Sequence, residues 1–294
     1  MKPDAPKQPV SRIEIIESPV LRRLSWLVHG FSTRAAGVTT CYGAPSLNLG
    51  FTQADTREHV IENRRRWLIA LGAATKGKPW PLVTNRQIHS DVVHVVRSVP
   101  SEPLAGDGLI TDLAGVALAI LTADCLPVLL ADRKKKVIGA FHAGWRGTVQ
   151  RIVEKGLGIM RRDFGSRPED VFAAVGPGIQ NCCYEVGEEL KERFESQFPY
   201  ARDLFHEVQD SDPVREKYPL LFMNQRAPGH GDLCIKIHLN LREANRRQLV
   251  EAGVPAKQIS TASECTACDT GKFFSHRAEK GHTGRMMAVM GIKP

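Results

Sequence analysis

The chain has 294 residues, of which 42% are hydrophobic and 24% charged, and its mean hydropathy is −0.23. These values are typical of a globular protein, and the length allows a large core that needs no crosslinks. The net charge of +8 is compatible with nucleic-acid binding, but the densest basic clusters are scattered over two helix-like segments and one turn. We therefore expect no nucleic-acid partner.

The use of cysteine and the length of the apolar runs indicate in which cellular compartment the protein resides. Seven cysteines, an odd number at irregular spacing, argue against a disulfide framework. The N-terminus lacks the apolar core of a signal peptide, and the longest uncharged apolar run, residues 113–123, is too short to cross a bilayer. We expect a cytoplasmic protein with reduced thiols and no membrane partner.

The first part of the chain predicts a leader followed by a helix. Residues 1–12 are polar and rich in proline, which favours a disordered leader, and residues 13–294 are expected to form a single domain. Asp55 is predicted to cap a helix over residues 56–71, with Glu58 at the capping-box position.

The middle of the chain predicts strands. Residues 83–96 read as a strand interrupted by polar residues, and the apolar run 116–130 predicts a buried strand kinked at its proline. A charged turn, residues 132–136, leads to a second apolar strand, residues 137–142. An amphipathic helix over residues 148–162 follows.

The last part of the chain mixes both kinds of element. We predict a strand over 171–175, a helix over 187–197, an irregular excursion over 199–232, a helix over 241–252 capped by Asn240, and a final strand over 289–292. Neighbouring strands interspersed with helices favour an α/β (α+β) layered sandwich, with mixed sheets and helices outside, over a doubly wound fold.

Two residues in the paired strands suggest chemistry. Cys125 lies in the apolar run and His142 ends the next strand. Because the connecting turn is tight, the strands are expected to pair antiparallel and bring the two side chains together. Asp124 adds a carboxylate that is costly to bury without partners. The glycine-flanked pair Trp145-Arg146 follows His142, and the helix start after Gly147 is a natural site for an anion, to which Arg146 adds a guanidinium.

His89, in the interrupted strand, would complete a set of three ligands. His, Cys and His match a catalytic zinc site in which water takes the fourth position. The spacing alone leaves two alternatives open. Cys125 can instead be a nucleophile with His142 as its base, or simply a buried cysteine that packs as a small hydrophobe.

Other motifs favour structural roles. Asp107, between two glycines, is expected to be a turn residue, with ligand support or ribose binding as the alternative. Cys265 and Cys268, with His276 and His282, resemble a structural zinc pattern, but the interval is shorter than usual. The adjacent Cys182 and Cys183 are expected to pack rather than to chelate one metal.

Several motifs in a fixed order resemble the YfiH-like family, once labelled multicopper polyphenol oxidase or laccase-domain proteins and later purine nucleoside phosphorylases. The resemblance covers nearly the whole chain after residue 25. It rests on the segments Gly30-Phe31-Ser32-Thr33-Arg34, Ser46-Leu47-Asn48-Leu49-Gly50, Gln87-Ile88-His89-Ser90, Gly106-Asp107-Gly108-Leu109, Ala123-Asp124-Cys125-Leu126-Pro127, His142-Ala143-Gly144-Trp145-Arg146-Gly147, Gly176-Pro177-Gly178-Ile179, Cys182-Cys183-Tyr184-Glu185-Val186-Gly187, Phe274-Ser275-His276-Arg277 and Thr283-Gly284-Arg285.

The resemblance implies a catalytic zinc held by His89, Cys125 and His142. It also implies phosphorolysis of adenosine, inosine and methylthioadenosine, adenosine deamination, and a fold similar to the cysteine-hydrolase domain of a cytotoxic necrotizing toxin. For such substrates, Arg34 and Arg146 are candidates to bind phosphate, and Asn48 to bind base or ribose. The Arg277 and Arg285 side chains are weaker candidates, and the oligomeric state stays open.

The competing functions make distinct demands. A multicopper oxidase needs close His-x-His pairs and a nearby cysteine, whereas none of the ten histidines falls in such a pair or adjoins a cysteine. Copper is therefore less expected than zinc. A cysteine hydrolase or amidase using Cys125 and His142, and acting on peptidoglycan precursors, is the main alternative, and a non-catalytic binding module is the third.

Overall fold

The structure is a computed structural model that describes residues 12–209 and 235–294. The predicted leader, apart from Arg12, and most of the predicted excursion over 199–232 lie outside the described residues. The strands are β1 (Ile15–Ile16), β2 (Leu27–Ser32), β3 (Ala35–Thr39), β4 (Ala74–Thr75), β5 (Lys78–Pro79), β6 (Leu82–Thr84), β7 (Val93–Val95), β8 (Gly108–Thr111), β9 (Ala117–Thr122), β10 (Leu126–Asp132), β11 (Val137–Ala143), β12 (Val171–Val175), β13 (Glu185–Val186), β14 (Phe205–Gln209), β15 (Ile235–Leu239), β16 (Ile259–Thr261) and β17 (Met286–Ile292).

Five α-helices accompany these strands in the described residues. They are α1 (Arg57–Leu71), α2 (Trp145–Val149), α3 (Ile152–Phe164), α4 (Glu188–Glu195) and α5 (Leu241–Glu251). None of the described helices is long and apolar enough to cross a membrane.

Two mixed sheets form the centre of the fold. The first has the order β1-β2-β17-β9-β6 and the second the order β16-β12-β10-β11-β8-β7. Each contains both antiparallel and parallel pairs: β17–β9 and β6–β9 in the first sheet, and β10–β11 and β12–β16 in the second. A small third sheet has the order β13-β15-β14 and shares no strand with the other two.

Alternating side chains divide the core into layers. Leu118 and Ile120 of the first sheet pack with Leu129 and Ala131 of the second, so the two sheets lie face to face. The other face of the first sheet packs on α1, and the other face of the second sheet packs on α3 and α5. The layers are therefore helix, sheet, sheet, helix.

This architecture confirms the predicted α/β layered sandwich with mixed sheets and outer helices. The similarity to the toxin domain and the single-domain boundary remain predictions. The helix over 241–252 is confirmed as α5, and the Asn240 side chain accepts the Glu243 N–H at its start, as predicted.

The predicted strand over 116–130 is wrong in one respect that matters for the site. It is two strands in different sheets, β9 and β10, joined by a turn that contains Asp124 and Cys125. Cys125 thus lies just before a strand and not within one. The chain is apolar on both sides of the turn because both strands are buried, so hydrophobicity does not reveal the break.

Other boundaries also differ. Thr56, rather than Asp55, caps α1, and the Asp55 carboxylate instead bonds Thr39 and Asn48. The predicted helix over 148–162 is divided into α2 and α3 near Arg151, whose φ is +61°. The strand predicted over 83–96 is likewise two strands, β6 and β7, in separate sheets.

Candidate active site

The structure brings His89, Cys125 and His142 together at one end of the paired sheets. Their potential ligand atoms all lie within 4.8 Å of one another. The antiparallel pairing of β10 with β11 is confirmed, and its register places Leu126 opposite Ala143, so Cys125 faces the residue just after β11. His89 arrives from the loop between β6 and β7, and its ring centroid lies 4.9 Å from that of His142.

The orientation of His142 is set by a buried carboxylate. Its Nδ1 lies 2.8 Å from Oδ1 of Asp107, which is fully buried. A neutral His142 therefore donates Nδ1–H to Asp107 and turns Nε2 towards the other ligands. A histidine ligand held by a carboxylate in this way is typical of metal sites, because the bond fixes the tautomer and raises ligand basicity.

Asp107 also organises the loop that carries His89. Its oxygens accept the backbone N–H groups of Ile88 at 3.2 Å, His89 at 3.1 Å and Ser90 at 2.6 Å, and the Ser90 hydroxyl at 2.7 Å. Burial opposes its ionisation, but the hydrogen bonds from His142 and Ser90 lower the pKa of Asp107 to about 2. Asp107 is therefore more than a turn residue, because its carboxylate orients His142 and holds the loop that carries His89.

The turn that presents Cys125 is strained and firmly anchored. Asp124 has a φ of +95°, which is uncommon for a residue other than glycine. Its carboxylate accepts bonds from the hydroxyls of Thr266 and Ser275 and from the backbone N–H of Arg277, each at 2.7 Å. These bonds compensate the burial of the carboxylate and hold the strained backbone in place.

The electrostatics favour a thiolate at Cys125. Burial raises the pKa of this thiol, but His142 and His89 outweigh it and lower the pKa to about 6. Burial lowers the pKa of His142, whereas Cys125 and Asp107 raise it to about 9. The thiolate is the form that would hold a metal ion, and binding would release the proton of the imidazole, because both ligands must be deprotonated.

Gly144 leaves room for the side chains of His89, Cys125 and His142. A Cβ at this position would lie 2.9 Å from Cys125 Sγ, 3.5 Å from His89 Cδ2 and 3.7 Å from His142 Cε1. The backbone of Gly144 has an ordinary φ of −70°, so space and not conformation requires the glycine. The residues present therefore fit a metal ion bound by two imidazoles and one thiolate.

His89, Cys125 and His142 line a cavity of about 470 Å³. Its wall also includes Phe51, Asn85, Arg277 and Arg285. The Asn85 side chain is buried, its Nδ2 bonds the Gly108 carbonyl, and its Oδ1 has no partner. Phe51 is an exposed aromatic ring with the Arg64 guanidinium 4.4 Å from its centroid.

The three residues preferred from the sequence as substrate-binding, Arg34, Asn48 and Arg146, lie elsewhere, and none of them lines this cavity. The Arg34 guanidinium bonds Glu279 at 2.9 Å and the carbonyls of Thr270 and Tyr42. Asn48 is fully buried, with its amide bonded to Asp55. Arg146 is exposed and stacks on Trp145. Their predicted roles stay untested.

Sequence reasoning ranked Arg277 and Arg285 below these residues and did not single out Phe51 or Asn85. The signal for Phe51 was an aromatic residue directly after Gly50, at the end of a motif. Asn85 carries no local signal, because its role depends on β6 reaching the cavity wall.

The chain thus combines a layered α/β fold with a His–Cys–His group that could hold a metal ion beside a small-molecule-sized cavity. The family model described as multi-copper polyphenol oxidoreductase laccase matches residues 28–293. The chain belongs to this family, and the resemblance seen in the sequence motifs is confirmed.

Named relatives refine this assignment. The chain is 35% identical to "Purine nucleoside phosphorylase YlmD" of Geobacillus stearothermophilus, over 90% of this chain and 94% of the relative. It is 38% identical to a purine nucleoside phosphorylase of Deinococcus radiodurans, over 93% of each. It is 33% identical to "Adenosine deaminase RL5" of an unknown prokaryotic organism, over 88% of this chain and 91% of the relative. A crystal structure of YlmD from Geobacillus stearothermophilus superposes with a TM-score of 0.76 at 30% identity, covering 99% of this chain and 100% of that one.

Proposed function

We propose that the protein is a zinc-dependent purine nucleoside phosphorylase that acts on adenosine, inosine and methylthioadenosine and also deaminates adenosine. The names of its relatives support both activities. The observation that carries the proposal is the placement of three metal-ligand atoms within 4.8 Å, in the wall of a cavity that also holds two arginines. A volume of about 470 Å³ lies in the range of small-molecule sites.

Zinc fits the ligand set better than copper does. Catalytic zinc sites have three protein ligands, among which imidazole and thiolate are common, and leave a fourth position for water. Blue-copper centres add a weak axial ligand such as methionine, and no methionine is in the described wall of the cavity. Bound zinc supplies a Lewis acid and brings the pKa of water down to about 7, which suits nucleophilic attack at neutral pH.

The protein's own groups supply recognition of the nucleoside. Asn85 Oδ1 is a buried acceptor without a partner, and such a group is costly unless a donor reaches it. The 6-amino group of adenosine and the ribose hydroxyls are such donors. Phe51, exposed at the cavity wall, offers a flat surface on which a purine ring can stack.

Phosphorolysis also needs an anion site, which we assign to Arg277 and Arg285. Both line the cavity. Arg277 donates to the Glu185 carbonyl, and Arg285 donates to the carbonyls of Thr283 and Gly284. Carbonyl partners fix a guanidinium without neutralising its charge, so its positive charge stays available to phosphate.

Incubation with adenosine, with and without phosphate, tests the proposal. Adenine that forms only with phosphate shows phosphorolysis, and inosine shows deamination. Both activities should be abolished by a zinc chelator and restored by added zinc. If the zinc-loaded and correctly folded protein forms neither adenine nor inosine, the proposed function is refuted.

One observation favours a second candidate. The contact between Cys125 and His142 that lowers the thiol pKa also suits a cysteine hydrolase or amidase. The named relatives do not favour it. A metal-free protein that cleaves amides and is inactivated by alkylation of Cys125 would establish this candidate in place of the first.

A further inference from the structure

A second group of potential metal ligands lies outside the active site. The four-cysteine cluster consists of Cys182, Cys183, Cys265 and Cys268. Its sulfur atoms all lie within 4.8 Å of one another. Cys268 Sγ is 3.4 Å from Cys182 Sγ and 3.3 Å from Cys183 Sγ, so two sulfurs from one segment meet a third from a segment more than eighty residues later.

The spacing of the sulfurs suits one tetrahedral ion. Zinc–sulfur bonds of about 2.3 Å place the sulfurs of a tetrahedral tetrathiolate site about 3.8 Å apart. The Sγ–Sγ contacts of 3.3 and 3.4 Å and the 4.8 Å limit bracket this value. A disulfide would use only two of the four sulfurs and leave the other two beside it.

Local geometry explains how neighbouring cysteines converge. A tight turn, in which the N–H groups of Cys183 and Tyr184 both bond the Gln180 carbonyl, directs the first pair towards Cys268. Cys265 and Cys268 have the Cys-x-x-Cys spacing of structural zinc sites. The backbone N–H of Gln180 also donates to Cys265 Sγ at 3.4 Å, a bond that stabilises a thiolate.

We propose that the four-cysteine cluster binds a second zinc ion with a structural role. This proposal differs from the expectation that Cys182 and Cys183 only pack, and the group contains neither His276 nor His282 as partners of Cys265 and Cys268. Four thiolates in tetrahedral arrangement select zinc over hard cations such as magnesium or calcium. The site goes beyond the proposed enzymatic function and does not depend on it.

The second ion would join two loops that support the active site. A backbone bridge links Gly178 with Cys265. In the second loop, Thr266 directly follows Cys265 and donates its hydroxyl to the Asp124 carboxylate. In the first loop, Ile179 donates its N–H to the Asp124 carbonyl at 2.8 Å. Fixing both loops therefore fixes the strained turn that presents Cys125.

Metal content of the full-length protein tests the proposal. We expect two zinc ions per chain in the wild type and one in the double variant Cys182→Ser/Cys268→Ser, which changes the two exposed members and so opens no buried void. The double variant His89→Ala/Cys125→Ser should also hold one, retained at the cluster. The proposal fails if the first variant binds as much zinc as the wild type, or if iron or copper occupies the cluster instead. The adenosine assay judges the proposed function separately.

Thiol reactivity in the wild type gives a second test that needs no variant to fold. Exposed Cys182 and Cys268 should resist alkylation in the zinc-loaded protein and react at least tenfold faster after a strong chelator is added, as peptide mass spectrometry would show. Exposed Cys41, outside both groups, should react at the same rate in both states and serves as the internal control. Equal reactivity before and after chelation, or a disulfide from Cys268 to Cys182 or Cys183 in the purified protein, would overturn the zinc assignment.

Discussion

Replacement of Gly144 by alanine probes the metal centre without removing any ligand. The added methyl group would lie 2.9 Å from Cys125 Sγ, whereas ordinary van der Waals contacts begin near 3.4 Å. The sulfur must therefore move by about 0.5 Å or more. Metal–ligand distances tolerate only about ±0.2 Å, so the displaced sulfur no longer completes the site.

We expect zinc affinity at this site to fall by at least the roughly 10- to 100-fold that follows loss of an outer-shell partner. Turnover of adenosine should fall with zinc occupancy. Overpacking costs stability as well, about 1–3 kcal/mol, which leaves the variant folded if its parent is ordinarily stable. Competition with a chromogenic chelator measures the affinity, and thermal unfolding measures the stability.

Gly158→Ala is the matched control. This glycine lies in α3 with nothing within 4 Å of the added Cβ, so alanine there should leave zinc binding unchanged and stabilise the helix by about 0.5–1 kcal/mol. Our reasoning is refuted if Gly144→Ala binds zinc and turns over adenosine within twofold of the wild type, because the methyl group would then be accommodated without moving the sulfur.

Three further outcomes follow from the site and the core. Arg285→Gln should raise KM for phosphate roughly 10- to 100-fold, since a charged hydrogen bond contributes about 1.5–3 kcal/mol, and should spare deamination. Arg146→Gln, outside the cavity, should change neither, and equal effects of the two would contradict the assignment. Phe51→Leu should raise KM for adenosine about 2- to 10-fold through lost stacking, and an unchanged KM would exclude the ring from the base site. Burial lowers the pKa of His29 to about 4, so between pH 6.5 and 4 the unfolded chain binds a proton at His29 that the folded state does not bind. Stability should fall by up to about 3 kcal/mol as the pH falls from 6.5 to 4. Denaturant titrations at several pH values should show that the free energy of unfolding depends less on pH in His29→Gln than in the wild type. An identical pH dependence would rule out His29 as the cause.

The family name suggests copper, whereas the potential ligands of the site favour zinc. The matching family model carries the name of a multi-copper laccase. The described residues contain one His–Cys–His group and one group of cysteines alone, neither of which offers the several histidine-rich copper sites of that chemistry. Metal analysis of the purified protein decides between copper, which the family name suggests, and zinc, which the ligand chemistry favours. It should find zinc and no stoichiometric copper.

The sequence by itself determined the features that depend on local interactions. The helix α5 and its Asn240 cap follow from a side chain that bonds a backbone N–H three residues away. The pairing of β10 with β11 follows from a short charged turn, because a tight connection between two apolar strands allows little but an antiparallel hairpin. This pairing is why Cys125 and His142 could be placed together from the sequence, whereas His89 joined them through a family motif.

Only the tertiary structure decided the features that depend on packing between distant segments. It divided one apolar run between two sheets, because burial on both faces hides the turn at Asp124. It brought Asp107 to His142 and to the His89 loop, and Arg285 to the cavity, through strand order rather than spacing. It also gathered four cysteines from two separate loops. Such contacts join residues tens of positions apart, and they form only once the sheets have stacked.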